Sequence, residues 1–265
     1  HAAYLGPDVA SIAAEKAGII KDGQPVVCGT LDEDALRVVA EAAARRRAKL
    51  VMAADTVNVR RVSQKPAGQK VAISSANTDY SAVLLPLLGR HQLENCAIAV
   101  AAAEEIAAAG LPVDSDAVKK GIETVEWPGR CQVLSEDPLT ILDGGHNPGA
   151  AARLAVAVKE LAGKKPVALV FGMCDDKDIR GFLRPFSGVV KACWPVTVRT
   201  DRAVPRATLA EEAGRVGWLS READLAVALK EAEEWAVKNK GMVCIAGSLY
   251  LAGEVLEMKG CAPFG

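Results

Sequence analysis

LTILDGGHNPGAAA, residues 139–152, is the stretch whose reading decides the fold. Leu139, Thr140, Ile141 and Leu142 form a short apolar run that reads as a buried strand, and an alanine-rich pattern of helical spacing begins a few residues later. Between them stand Asp143, Gly144, Gly145, His146, Asn147 and Pro148. The local order is therefore strand, tight turn, helix, with an acid, an imidazole and an amide at the junction. In open α/β sheets ligands gather at the carboxyl ends of strands, where helix N-termini offer free backbone N–H groups. Gly144 and Gly145 let the backbone approach a ligand closely, and Pro148 suits a first helical turn. An ordinary turn, with Asn147 or Asp143 merely capping the helix, would use the same residue types.

Working outward, strands and helices alternate on the C-terminal side, as in a parallel sheet with helices on its faces. Strands are expected at residues 131–135, 139–142, 167–171, 189–194 and 242–246, and helices at 149–161, 179–186, 208–213, 223–239 and 248–259. Trp127-Pro128-Gly129 breaks the composition and marks a domain boundary, giving 1–127 and 128–265. Upstream, helical spacing covers residues 8–20, 33–48, 89–110 and 114–124, with short strands near 25–28, 50–52, 57–62, 71–74 and 81–88. The basic run Arg45-Arg46-Arg47 reads as a solvated helix end facing the dipole.

The bulk properties exclude several classes. The 265 residues are enough for one large or two smaller domains, and half of them are hydrophobic, with few aromatics. A formal net charge of −1 argues against a nucleic-acid or acidic-membrane footprint. The seven cysteines are scattered, with no C-x-x-C pair and no zinc spacing, which suits a reducing cytoplasm. No apolar run reaches membrane-spanning length.

Six stretches, HAAYLGPDVASIAAEKAGIIK, GRHQLEN, WPGRCQ, ILDGGHNPGAA, FGMCDDKD and AGSLYLAGEV, follow one another in an order that resembles the Mur ligase superfamily, most closely its folylpolyglutamate and dihydrofolate synthase branch. The resemblance implies an α/β chain made of part of a Mur-ligase-type central ATPase domain, then a Rossmann-like C-terminal domain with a mostly parallel sheet. It further implies an ATP- and Mg²⁺-dependent ligase that joins L-glutamate to a folate or dihydropteroate carboxylate through an acyl phosphate. A monomer is expected, with no nucleic-acid or membrane partner. A peptidoglycan-type Mur ligase, or a non-catalytic nucleotide- or glutamate-binding module, are the alternative readings.

On this resemblance Lys16 matches a lysine carbamylated by carbon dioxide, which with His1 would hold Mg²⁺, an ion that prefers oxygen ligands. Asn95 matches an adenine-reading amide, and Arg130 a phosphate-contacting arginine. Asp143 and His146 match a ribose- and nucleotide-contacting pair. Lys177 and Asp178 match a loop facing the active-site cleft, and Ser248 opens a helix where a glutamate carboxylate could bind, or simply caps it. The G-x-x-x-x-G-K-[ST] phosphate loop that the family carries near its N-terminus does not occur in these residues. The chain is therefore expected to be the later part of a longer ligase, inactive by itself.

Overall fold

The computed structural model describes residues 8–261. They group into two compact units. One runs up to Ser63 and includes Gln69–Leu85 and His91–Thr124; the other holds Gln64–Gly68, Pro86–Arg90 and everything from Val125 onward.

In the first unit, helix α1 (Val9–Ala17) is capped by Asp8, whose carboxylate accepts the Ser11 N–H at 2.7 Å. Strands β1 (Val26–Cys28) and β2 (Leu50–Met52) pair in parallel, and the amphipathic helix α2 (Glu33–Arg45) links them. Ile20, Val39 and Ala42 form a small core beneath. A one-turn helix α3 (Ala53–Thr56) follows, then an antiparallel sheet of β3 (Asn58–Lys65), β4 (Gly68–Ser74) and β5 (Asp79–Leu85). β3 and β4 run longer than their apolar residues suggest, because Pro66-Ala67 turns the chain tightly enough for polar neighbours to join the ladder. Helices α4 (His91–Ala108) and α5 (Ser115–Thr124) close this unit.

The second unit is a five-stranded sheet in the order β6-β7-β10-β8-β9. Its strands are β6 (Gln132–Glu136), β7 (Leu139–Leu142), β8 (Val167–Phe171), β9 (Val190–Pro195) and β10 (Met242–Ala246). β7, β10, β8 and β9 run parallel, and only the edge strand β6 is antiparallel. Every residue of β7, β8 and β10 is buried, which is why they read as unbroken apolar runs rather than alternating ones.

The pleat still sorts their side chains. Val167, Leu169, Phe171, Met242, Cys244 and Ala246 enter one core, while Ala168, Val170, Val243 and Ile245 enter the other. Helices α6 (Pro148–Ala162), α7 (Ile179–Leu183) and α8 (Arg206–Arg215) cover the first face. Helices α9 (Leu225–Asn239) and α10 (Leu249–Met258) cover the second. With four strands parallel, the loops that leave β7, β8, β9 and β10 emerge at one end of the sheet.

Candidate functional site

That end carries a pocket of about 410 Å³. Each of the four loops contributes to it: His146 after β7, Cys174 and Lys177 after β8, Arg202 after β9, and Gly247, Ser248, Leu249 and Tyr250 after β10. Ser248 is 3% exposed and caps α10, its hydroxyl accepting the Tyr250 N–H at 3.0 Å. The positive end of that helix therefore faces the pocket together with two cations. Gly247 adopts φ 110°, which only glycine tolerates readily, and its N–H donates to the Gly145 carbonyl at 3.0 Å, tying two of the loops together.

The pocket's cations are held in reserve by one acid. Lys177 Nζ donates to Asp176 Oδ2 at 2.7 Å, and Arg202 Nη1 lies 3.7 Å from the same oxygen. The Asp176 carboxyl is held below the usual carboxylate range, first by the Lys177 hydrogen bond and then by the charges of Lys177 and Arg202. Arg202 also packs over the Tyr250 ring, 6.0 Å from its centroid, and donates to the Tyr250 hydroxyl at 3.2 Å. An entering anion would find the helix N-terminus and two cations already gathered, Lys177 bonded to Asp176 and Arg202 more loosely paired with it. His146 Nδ1 lies 3.0 Å from the Gly144 carbonyl, which leaves its other ring nitrogen for a ligand.

The residues expected from sequence fall into three groups. His146, Lys177 and Ser248 line this pocket. Asp178 does not; it caps α7 by accepting the Gly181 N–H at 2.8 Å, and it is exposed. Arg130 faces a second cavity of the same unit, about 630 Å³, beside Trp127, Pro128 and Gln132. Asp143 is 7% exposed, and its two oxygens accept the Cys131 N–H at 2.9 Å and the Gly145 N–H at 2.7 Å. Asn147, not Asp143, caps α6 through the Ala150 N–H at 2.8 Å.

Lys16 and Asn95 belong to the first unit. Lys16 is exposed in the last turn of α1, and Asn95, also exposed, donates to Gln92 Oε1 at 2.8 Å within α4. His1 lies outside the described residues. Among the described residues no group of three His, Cys, Asp or Glu side chains comes together to hold a metal ion. Nor, among them, is any helix long and apolar enough to cross a membrane.

Sequence reasoning missed Cys174, Arg202 and Tyr250. Arg202 follows β9 in a loop at the carboxyl end of a parallel strand, so the strand-end rule applied to every strand would have flagged it.

With this geometry in place, likeness to known proteins gives the class. Residues 129–249 match the Mur ligase, glutamate ligase domain. The chain carries that domain, and its relatives are folylpolyglutamate and dihydrofolate synthases. It is 36% identical over 264 residues to a probable bifunctional folylpolyglutamate synthase/dihydropteroate synthase of Halobacterium salinarum, covering 96% of this chain and 31% of that protein. It is 32% identical to the folylpolyglutamate synthase of Lacticaseibacillus casei, over 97% of this chain and 59% of the relative. The Mycobacterium tuberculosis folylpolyglutamate synthase complexed with ADP and AMPPCP superimposes with a TM-score of 0.87 at 28% identity, covering 97% of this chain and 61% of the other. Escherichia coli FolC in complex with DHPP and ADP gives 0.80 at 30% identity, over 98% and 59%. The chain thus spans about three-fifths of the length of most of these relatives, and less of the bifunctional one.

Proposed function

We propose that the protein is an ATP-dependent ligase that adds L-glutamate to the carboxylate of a folate or dihydropteroate, and that the pocket at the four strand ends receives the glutamate. In this reading the γ-phosphoryl group of ATP passes to the acceptor carboxylate. The glutamate amine then attacks the acyl phosphate, loses its proton, and displaces inorganic phosphate as the amide forms. The chain's own contribution is to hold the amino acid. Ser248 and the N-terminus of α10 face one carboxylate, and Lys177 and Arg202 are released from Asp176 to meet the other. Arg130, His146 and the loop that begins at Asp143 serve the nucleotide, with Asn95 reading its base.

The same reading makes residues 1–127 the later part of the ATP-binding domain and 128–265 the ligase domain. Lys16 and His1 are assigned to the metal side of the reaction, Lys16 as its carbamate. The cytoplasm is the proposed compartment, in keeping with seven free thiols.

The single observation that carries the reading is the convergence of Lys177, Arg202 and Ser248 on one pocket. The test is phosphate release by the complete protein supplied with ATP, L-glutamate and either folate or dihydropteroate. Release should require both the amino acid and the acceptor, and Lys177→Ala should raise the KM for glutamate about tenfold, the equivalent of about 1.4 kcal/mol. Release indifferent to glutamate would overturn it.

A further inference from the structure

An amino acid arrives with an ammonium group as well as carboxylates, and the pocket at the strand ends has to place both. Among the described residues that line it, Lys177, Arg202, Ser248 and His146 can serve an anion, and none is acidic. The acid bonded to that lining is Asp176, whose Oδ2 accepts Lys177 Nζ and lies within ion-pair distance of Arg202 Nη1. Backbone sets this arrangement. Asp175 N–H donates to the Arg202 carbonyl at 2.9 Å, Lys177 N–H to the Cys174 carbonyl at 3.2 Å, and Val204 N–H to the Met173 carbonyl at 3.0 Å. Cys174 and Ala203 pair as an antiparallel bridge. The loops after β8 and β9 are thus zipped together, and none of these bonds uses the side chain of Asp176, which is exposed.

A ligand carboxylate that takes Lys177 and Arg202 would leave Asp176 as a second anion beside it, an arrangement that like-charge repulsion disfavours. An α-amino acid removes the conflict, because its ammonium sits on the carbon that carries the carboxylate and so arrives beside the displaced acid. The charges agree. Two cations and one acid leave a single positive charge, which matches the single net negative charge of glutamate. The same dicarboxylate without its amine carries two.

We propose that Asp176 is a specificity-determining residue of the amino-acid pocket: it takes the ligand's α-ammonium while Lys177 and Arg202 take the α-carboxylate, and it thereby rejects dicarboxylates that lack the amine. This deepens the ligase reading and rests on it for the identity of the ligand. Asp176 anchors the amine and does not take its proton, since the Lys177 hydrogen bond and the neighbouring cations hold its carboxyl below the usual carboxylate range. A charge-assisted hydrogen bond on an exposed rim is worth about tenfold in affinity.

The test takes the ratio of two constants in the complete protein, the KM for L-glutamate and the inhibition constant of glutarate, which is glutamate without its amine. The wild type should prefer glutamate by at least about tenfold, and in Asp176→Asn that preference should fall below about threefold. Asp176→Ser removes the same charge and carries the test if Asp176→Asn does not fold. Asp175→Asn, which removes a charge one residue away, should keep the wild-type ratio. A merely structural role would not move the ratio, because misplaced cations weaken both ligands alike. Parallel weakening of the two ligands in the Asp176 variants therefore overturns the proposal, and so does parallel tightening, which would make Asp176 only a rival for the cations. An equal loss of preference in Asp175→Asn overturns it as well. If the wild type releases no phosphate in response to glutamate, the ligase reading falls, and the same ratio is read from calorimetric binding of L-glutamate and glutarate. A wild type that binds neither, or binds both alike, overturns the proposal there too.

Discussion

Two pairs of candidate residues, one pair from each unit, are held in opposite ways. Asp143 and Ser248, in the second unit, are almost sealed from solvent and bonded to backbone N–H groups. Lys16 and Asn95, in the first, stand on exposed helix faces, Lys16 in a last turn and Asn95 donating to Gln92 in the preceding turn of its own helix. The sheets beneath them differ in the same sense: β8 and β10 are buried along their whole length, whereas β1 has no fully buried residue. Groups of the first kind are placed by the fold before any ligand arrives. Groups of the second kind acquire a fixed position only from what they bind or from what is covalently added to them.

The sharpest way to break this contrast is Lys16→Ala in the complete protein. Alanine is the best helix former, so the helix should stay folded while ligation is abolished. A small carboxylic acid such as acetate should return part of the rate by standing in for the carbamate. Full activity without added acid would return Lys16 to the status of a solvated side chain.

The next largest effect concerns the cores. Leu169→Ala, at the centre of a fully buried strand, should cost about 2–5 kcal/mol in denaturant unfolding. Val39→Ala, in the smaller core of the first unit, should cost about 1–2 kcal/mol. Equal costs would erase the difference between the two units.

Alkaline titration sharpens it further. Burial pushes the thiols of Cys131 and Cys193 up to about 12, with the Asp143 carboxylate adding to the effect at Cys131, and pushes Cys96 up to about 11. Raised values in the folded state mean that the native protein keeps protons the unfolded chain has lost. The stability these thiols contribute is therefore complete below about pH 9 and falls away as pH rises toward 11–12. Unfolding followed between pH 8 and 11 should show this decline, and Cys193→Ala should flatten it by up to about 1.4 kcal/mol per pH unit. An unchanged slope would mean that the Cys193 thiol titrates alike in both states.

The smallest expected effect is at Ser248. Ser248→Ala removes the cap of α10 and should cost about 1 kcal/mol of stability. If Ser248 also faces the amino acid, the KM for glutamate rises in the same variant, and Ser248→Asp, which keeps a capping oxygen, restores the melting temperature but not the KM. Restoration of both would leave it a cap alone.

What the sequence revealed follows the range of the forces involved. The runs VALVF and MVCIA announce doubly covered parallel strands because burial on both faces leaves no polar alternation. Asn147 at a helix start was equally legible, since a cap bonds only three residues ahead. The use of Asp143 was not: its bond to Cys131 spans twelve residues and depends on β6 returning antiparallel to β7. Arg202 and Tyr250 are 48 residues apart and meet only because β9 and β10 lie on either side of β8. No local pattern encodes that order.

The arrangement of four loops on one end of a packed sheet also bears on how readily the pocket can be altered. Arg202 arrives on the stretch that follows the edge strand β9, and its side chain is exposed, so changing it touches neither hydrophobic core. Surface substitutions of this kind generally shift stability by no more than about 0.5 kcal/mol. On the proposed reading, preference for one amino acid over another can therefore drift at this position while the scaffold that presents it stays constant, and a library confined to residue 202 would vary the pocket without disturbing Arg199, which is anchored to Glu254 and Glu257, or Ala203, which packs against the core.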